Sequence, residues 1–131
     1  MSKIKKIYLS GGMHGTWQDY LIERYPHIEF FDPRSTGFTS PALYTQWDME
    51  KIRESDAVIA YLQETNPSGV GLAYEVGYAL GLGKEVYFIR EKTDKYFDIV
   101  GSASTLRTFG FEAFDKMIQL LDRILEEKEN K

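Results

Sequence analysis

Short apolar stretches alternate with longer amphipathic ones along the whole chain. The stretches at 4–10, 28–31 and 85–89 are rich in the β-branched and aromatic residues that favour strands. The stretch at 57–62 is apolar at every position, which is typical of a strand buried on both faces of a parallel sheet. The region 99–109 is ambiguous, and a short last strand is predicted near 106–109.

Helical spacing fills the gaps between these strands. The pattern predicts helices over 17–25, 41–55, 72–82 and 111–125. Pro41 follows Ser40 at the first helical position, and Gly83 stands where a glycine commonly ends a helix. The last helix has apolar residues spaced by three and four, at Phe111, Phe114, Ile118, Leu121 and Leu125. Residues 126–131 are expected to fray.

This alternation of strands and helices predicts an α/β fold with a parallel sheet between two layers of helices. About five strands in the order 2-1-3-4-5 would give a flavodoxin-like, Rossmann-like three-layer sandwich. The chain has 131 residues, so we expect a single domain over 1–131. The charged stretch 90–97 is expected to lie exposed on the surface.

Composition removes several classes of function. The net charge is -4, which lacks the basic footprint of a nucleic-acid-binding protein. Without cysteine, thiolate catalysis and zinc fingers are excluded, and His14 and His27 are too few for a histidine-rich metal site. No apolar run suits a membrane span or a signal peptide, so we expect no membrane partner and a cytoplasmic location.

Ligands of an open parallel sheet bind beyond the carboxyl ends of its strands. The segment 10–15 is glycine-rich but has neither dinucleotide-binding nor phosphate-loop spacing, so a tight turn and a ligand-cradling loop stay equally open. In the next segment, Arg34 is either an anion contact or, more often for such a residue, a solvated loop arginine. Asp56, just before the third strand, favours a structural role.

Two acidic residues are the main candidates for chemistry. Glu75 stands near the start of the helix that follows the buried strand, among small and apolar neighbours. A poorly hydrated carboxylate there is a usable nucleophile, but a first-turn Glu that complements the helix dipole is the simpler alternative. Asp48 has poor helix propensity at a mid-helix position, on one stripe with Ile52 and Ser55.

Three motifs resemble the nucleoside 2-deoxyribosyltransferase family: KIYLS at 6–10, the segment 48–56, and GLAYEVGYA at 71–79. The family cleaves the N-glycosidic bond of 2′-deoxynucleosides. The resemblance implies that Glu75 is the nucleophile that forms a covalent deoxyribosyl-enzyme. It implies that Tyr8 orients this carboxylate, and that Asp48 protonates the departing base and deprotonates the incoming one. Neither a metal nor a cofactor is needed for this chemistry.

The resemblance also suggests positions that bind substrate, at Gly11, Gly12, Ser68, Gly69, Gly71, Asp98 and Ser102. Some transferases have an Asp where this chain has Gly69. Ser68 beside it resembles serines that hold the 5′-phosphate in related deoxynucleoside 5′-monophosphate N-hydrolases. Asp98 suits a free 5′-hydroxyl, whereas Ser102 suits a phosphate. The family often completes its site with a segment near Asp98 from a neighbouring subunit, so a homodimer or homotetramer is expected.

Three functions stay open at this point. The first is transfer of 2-deoxyribose from a deoxynucleoside to another free nucleobase. The second is hydrolysis of nucleoside 5′-monophosphates with the same Glu75. The third is a nucleotide-binding module without turnover, which has no need for a nucleophile. The aromatic content of 15% predicts that Tyr44, Trp47, Tyr96 and Phe97 line a pocket or an interface.

Overall fold

The computed structural model describes residues 4–13 and 15–126. Its sheet has five parallel strands in the order β2-β1-β3-β4-β5, which confirms the predicted fold. The strands are β1 Lys6–Gly11, β2 Glu29–Phe31, β3 Ala57–Leu62, β4 Glu85–Arg90 and β5 Leu106–Phe109. The helices are α1 Trp17–Arg24, α2 Pro41–Glu54, α3 Val70–Gly81, α4 Asp98–Ala103 and α5 Ala113–Leu125. Short 3-10 turns lie at Pro33–Ser35 and Lys95–Phe97.

Apolar side chains cover both faces of the sheet. On one face, Ile7, Leu9 and Ile59 pack against apolar residues of α1 and α5, such as Leu21 and Leu121. On the other, alternate residues of the same strands pack against α2, α3 and α4. The central strand β3 is buried along its whole length, as its continuous apolar sequence predicts. The layer of α2 and α3 is the one that carries the candidate site.

The sheet explains why the candidate residues meet. Every strand is parallel to its neighbours, so all five carboxyl ends lie at the same edge. Residues alternate between the two faces of β1, so Tyr8 and Ser10 both point towards the layer of α2 and α3. At the opposite edge, Gly83 has a φ of 78° and its N–H donates to the carbonyl of Leu80, which ends α3 as predicted.

Several sequence predictions need correction. Helix α3 begins at Val70, two residues before the predicted start, so Glu75 lies in its second turn rather than its first. Helix α5 begins only at Ala113, and Phe111 is 96% exposed rather than part of the buried stripe. The stretch 90–97 is not wholly exposed, because Arg90 and Phe97 are buried at its two ends.

Some predictions fall on residues that the structure does not describe. His14 lies outside the described residues, as does the end of the chain from 127 to 131 that the sequence predicts to fray. Among the described residues, no helix is long and apolar enough to cross a membrane.

Candidate active site

Glu75 is held by two hydroxyl groups from one strand. The Tyr8 hydroxyl donates to Glu75 Oε2 at 2.9 Å, and the Ser10 hydroxyl donates to Glu75 Oε1 at 2.6 Å. Tyr8 and Ser10 are both buried, so water does not compete for their hydroxyls. Each carboxylate oxygen therefore has its own fixed donor, which sets the plane of the carboxylate.

Asp48 faces the same carboxyl group from α2. The side chain is half-buried, and its Oδ1 is a buried oxygen with no hydrogen-bond partner within the described part of the chain. An unpaired buried carboxylate oxygen is costly, which favours the protonated form of this acid. Trp47, next to Asp48, has its ring centroid 6.4 Å from that of Tyr8. The arrangement places two acids and a phenol around one point.

The pKa values of these groups follow from their burial. Burial raises the pKa of Glu75 to about 8; the Ser10 hydroxyl opposes this, and the nearby Asp48 carboxyl adds to it. Burial also raises the pKa of Asp48 above its ordinary value. The pKa of Tyr8 is raised far above its ordinary value, first by burial and then by the two acids, so it remains a donor. The pair of acids therefore keeps a proton near neutral pH.

Glu75 and Asp48 line a cavity of about 300 Å³ at the carboxyl edge of the sheet. The lining is mostly apolar, with Met13, Phe38 and Tyr44 exposed around its mouth. Among residues 4–13 and 15–126, those that line it are Gly11, Met13, Pro33, Thr36, Phe38, Tyr44, Asp48, Gly71, Leu72 and Glu75. A small, mostly apolar cavity with a few convergent polar groups is the usual form of a small-molecule site.

The structure brings together only part of the predicted site. Besides the two acids, Gly11 and Gly71 line the cavity. Gly12 lies beside it, where its carbonyl accepts from Trp17 Nε1 and Gln18 Nε2. These contacts tie the loop after β1 to α1. Gly12 therefore supports the cavity wall rather than forming it.

Ser68 and Gly69 shape the entry to α3 and are absent from the cavity lining. The Ser68 hydroxyl accepts from the backbone N–H of Val70 at 3.1 Å, and the Ser68 N–H donates to Asn66 Oδ1. Gly69 is buried with a φ of 85°, and an added Cβ would lie 2.7 Å from the Phe97 ring. A side chain at this position therefore cannot be accommodated without rearrangement.

We expect Gly69→Ala to destabilise the fold by ~2 kcal/mol or more, because it combines a left-handed backbone with a steric clash. Thermal unfolding followed by circular dichroism measures the effect. Gly71→Ala is the matched control, since an added Cβ there meets nothing within 4 Å. Equal melting temperatures for the two variants would contradict this reading of Gly69.

Asp98 and Ser102 lie in a second cavity, with Arg90 and Arg107. Asp98 Oδ1 accepts from Arg90 Nη1 at 2.7 Å, and the Arg90 guanidinium lies over the ring of Phe109. Neither Asp98 nor Ser102 lines the cavity that holds Glu75. Their assignment to substrate binding therefore depends on a neighbouring subunit and stays a prediction.

Arg34 and Asp56 have structural partners. Arg34 forms ion pairs with Asp19 and Asp32, both at 2.7 Å, and donates to the carbonyl of Gly15. It joins the loops after β1 and β2 rather than standing free for an anion. Asp56 accepts from the backbone N–H groups of Lys5 and Lys6 before β1. The structural role predicted for Asp56 agrees with these contacts.

Sequence reasoning missed two kinds of site residue. Ser10 was not singled out, although its position two residues after Tyr8 places both side chains on one face of a strand. Thr36 and Phe38 come from an irregular loop, whose path has no periodicity to reveal it. Four aromatics were predicted to line a pocket or an interface. Tyr44 lines the cavity, Trp47 packs near Tyr8 without lining it, Phe97 is buried against Gly69, and Tyr96 is 76% exposed.

The fold and the paired acids define an α/β protein with a site of the kind that glycosidic-bond chemistry uses. The chain belongs to the nucleoside 2-deoxyribosyltransferase family, whose model matches residues 33–128. The match includes Asp48 and Glu75 but begins after Tyr8 and Ser10. No match was found among curated proteins.

Solved structures with a similar fold include three proteins. The 2-deoxyribosyltransferase of Bacillus psychrosaccharolyticus is 20% identical, with 86% of this chain and 89% of its own covered and a TM-score of 0.65. The CMP N-glycosidase of Clostridium botulinum is 22% identical and has a TM-score of 0.67. The alignment covers 92% of this chain and 100% of the N-glycosidase. The 2-deoxyribosyltransferase of Leishmania mexicana is 24% identical, with 70% and 71% covered and a TM-score of 0.50. Because all three are less than 25% identical to this chain, the similarity shows a shared fold and nothing more specific.

Proposed function

We propose that the protein cleaves the N-glycosidic bond of a 2′-deoxynucleoside and transfers the 2-deoxyribosyl group to another nucleobase, through a covalent ester with Glu75. The observation that carries the proposal is the Glu75 carboxylate, fixed by Tyr8 and Ser10 beside the second acid Asp48 at a mostly apolar cavity. A nucleophile and a proton donor side by side are what a two-step displacement at a sugar carbon requires.

In the first step, a Glu75 oxygen attacks C1′ of the sugar, and the bond from C1′ to the base nitrogen breaks. The electron pair of that bond goes to the departing base, which takes the proton held by Asp48. The sugar passes through an oxocarbenium-like state, and a 2-deoxy sugar reaches it more easily because no electron-withdrawing 2′-hydroxyl is present. The products of this step are a free base and a deoxyribosyl ester on Glu75.

In the second step, a nitrogen of the incoming base attacks C1′, and the ester bond breaks with its electron pair returning to Glu75. Asp48, now ionised, takes up the proton that the incoming base loses. Two displacements at the same carbon restore its original configuration. If water enters instead of a base, the same site performs hydrolysis, so exclusion of water decides between the two outcomes.

The charge of the cavity favours a nucleoside over a nucleoside 5′-monophosphate. The lining residues include two acids and no Lys or Arg among the described residues. The nearby Arg34 is already paired with Asp19 and Asp32. A phosphate would be repelled by the acids without a compensating cation, whereas a free 5′-hydroxyl carries no such cost.

The test is chromatography of a reaction that contains thymidine and free adenine. The proposal predicts new deoxyadenosine and free thymine with the parent protein, and neither with Glu75→Ala. Release of thymine without formation of deoxyadenosine would mean that the reaction is hydrolysis and not transfer. Turnover of deoxynucleoside monophosphates but not of thymidine would contradict the expected preference for a free 5′-hydroxyl. Binding of thymidine without release of any base would leave a non-catalytic module.

We also propose that a neighbouring subunit completes the site with Asp98 and Ser102, as part of a homodimer or homotetramer. In support, Tyr96 and Ile99 beside this segment are more than 70% exposed, at 76% and 75%. Light scattering measures the assembly directly. A monomer at assay concentration, combined with full activity, would remove Asp98 and Ser102 from the substrate site.

A further inference from the structure

We propose that Ser10 is a positioning residue for Glu75, which holds one carboxylate oxygen in place and favours the ionised form that attacks C1′. The inference rests on the proposed function and deepens it, because it assigns a role to a residue that the family resemblance left without one. Ser10 acts through Glu75 and is not assigned any contact with substrate.

The geometry separates the work of Ser10 from that of Tyr8. The two hydroxyls come from alternate positions of β1 and bind different oxygens, Tyr8 at Oε2 and Ser10 at Oε1. One hydrogen bond alone would leave the carboxylate free to rotate about its last single bond, whereas two bonds to different oxygens fix its plane. The contact of 2.6 Å from Ser10 lies in the short range of hydroxyl-to-carboxylate hydrogen bonds.

The place of Ser10 along β1 adds to this argument. Ser10 is 1% exposed, and the next residue, Gly11, lines the cavity. Tyr8 lies two residues further from the carboxyl edge, where the cavity opens. Of the two hydroxyls that hold Glu75, the one of Ser10 is therefore nearer along β1 to the edge of the sheet where the cavity lies.

Ser10 also opposes the effect of burial. Burial raises the pKa of Glu75, and the largest opposing contribution is the hydroxyl of Ser10. In the part of the chain that the structure describes, the titratable groups that face Glu75 are Tyr8 on β1 and Asp48 on α2. Neither replaces Ser10, because Tyr8 binds the other oxygen and Asp48 raises the pKa of Glu75. A donor that binds the anion favours the ionised nucleophile.

Two measurements on Ser10→Ala test the proposal. In kinetics with thymidine and adenine, kcat should fall ~10-fold to ~100-fold because the nucleophile is misoriented. KM should change less than about twofold. In a ¹³C NMR titration of Glu-labelled protein, the pKa of Glu75 should rise by ~1 pH unit. The resonance is assigned by its loss in Glu75→Gln. Ser10→Thr restores the hydroxyl and should recover both values, and Ser10→Cys, a weaker donor of similar volume, should lie between.

Ser55→Ala is the matched control for loss of a buried hydroxyl. Ser55 is equally buried at 1%, but its hydroxyl donates to the backbone carbonyl of Lys51, so its loss should leave both measurements at the parent values. A Ser10→Ala protein with the parent's kcat and the parent's Glu75 pKa would overturn the proposal, as would a loss confined to KM. If the parent protein releases no base, the proposed function fails, while the titration still decides whether Ser10 supports the ionised Glu75.

Discussion

Glu75→Gln should abolish release of nucleobase and, at alkaline pH, make the protein more stable than the parent. The loss of activity should be ~10⁴-fold or more, because an amide oxygen is too poor a nucleophile to form the sugar ester. The side chain keeps its volume, and its carbonyl oxygen still accepts from one of the two hydroxyls that hold Glu75. The new amide N–H₂ can donate to the Asp48 oxygen that has no partner in the described residues.

The gain in stability follows from the pKa of Glu75. In the folded protein burial raises this pKa from 4.5 to about 8, so between these values the folded state binds more protons than the unfolded state. The free energy of unfolding of the parent therefore falls as the pH rises through this window. Gln does not titrate, so the variant escapes this loss. The difference should be small below pH 4.5 and complete above pH 8.

Thermal melts at pH 5, 7 and 9 measure this difference, with an expected increase in Tm of ~5 °C for Glu75→Gln at pH 9. Glu64→Gln is the control, because Glu64 is an exposed Glu in the turn between β3 and α3 and should show no such pH-dependent gain. A variant that is inactive but less stable than the parent at pH 9 would show that the buried charge of Glu75 does not strain the fold. A variant that still releases base would remove Glu75 as nucleophile.

The fold was predictable because its signals are local and repeated. The apolar run of β3, the helix-starting Pro41 and the helix-ending Gly83 each depend on a few neighbouring residues. Errors occurred where tertiary contacts decide the outcome. Phe111 fits the apolar spacing of α5 but lies outside the helix and is exposed. The sequence pattern alone cannot distinguish a residue that continues a stripe from one that precedes the helix.

The site was predictable only in part. Glu75 and Asp48 stood out because a carboxylate among apolar neighbours and a mid-helix Asp both break a local rule. That they lie beside one another, however, depends on how α2 and α3 pack on β1, and no local pattern reports this packing. The lining from the loop after β2, including Phe38, has no sequence signal of its own. Asp98 and Ser102 were expected at the site from the family resemblance, and a single chain places them in another cavity.

The second large effect is expected at Asp48, where the loss of activity should depend on the leaving group. Asp48→Asn should lower the rate of thymidine cleavage by ~10²-fold to ~10⁴-fold, because the amide cannot give a proton to the departing base. In 4-nitrophenyl 2-deoxyriboside the leaving group is 4-nitrophenolate, which departs without protonation. The rate of cleavage of this substrate should therefore fall less than ~10-fold in the same variant. Glu75→Gln, by contrast, should lose activity with both substrates, since the nucleophile is needed whatever departs.

The pH profile gives a second, independent test of Asp48. Because burial raises the pKa of Asp48, its acidic proton persists to a higher pH than an exposed Asp would allow. Activity of the parent on thymidine should fall once the pH rises through the pKa at which the acid pair loses this proton. The same protein should show no such decline with the 4-nitrophenyl substrate, which needs no proton from Asp48. Glu50→Gln, two residues further along α2 and absent from the cavity lining, is the control. Equal losses for Asp48→Asn with both leaving groups would assign Asp48 to orientation of Glu75 instead of proton transfer.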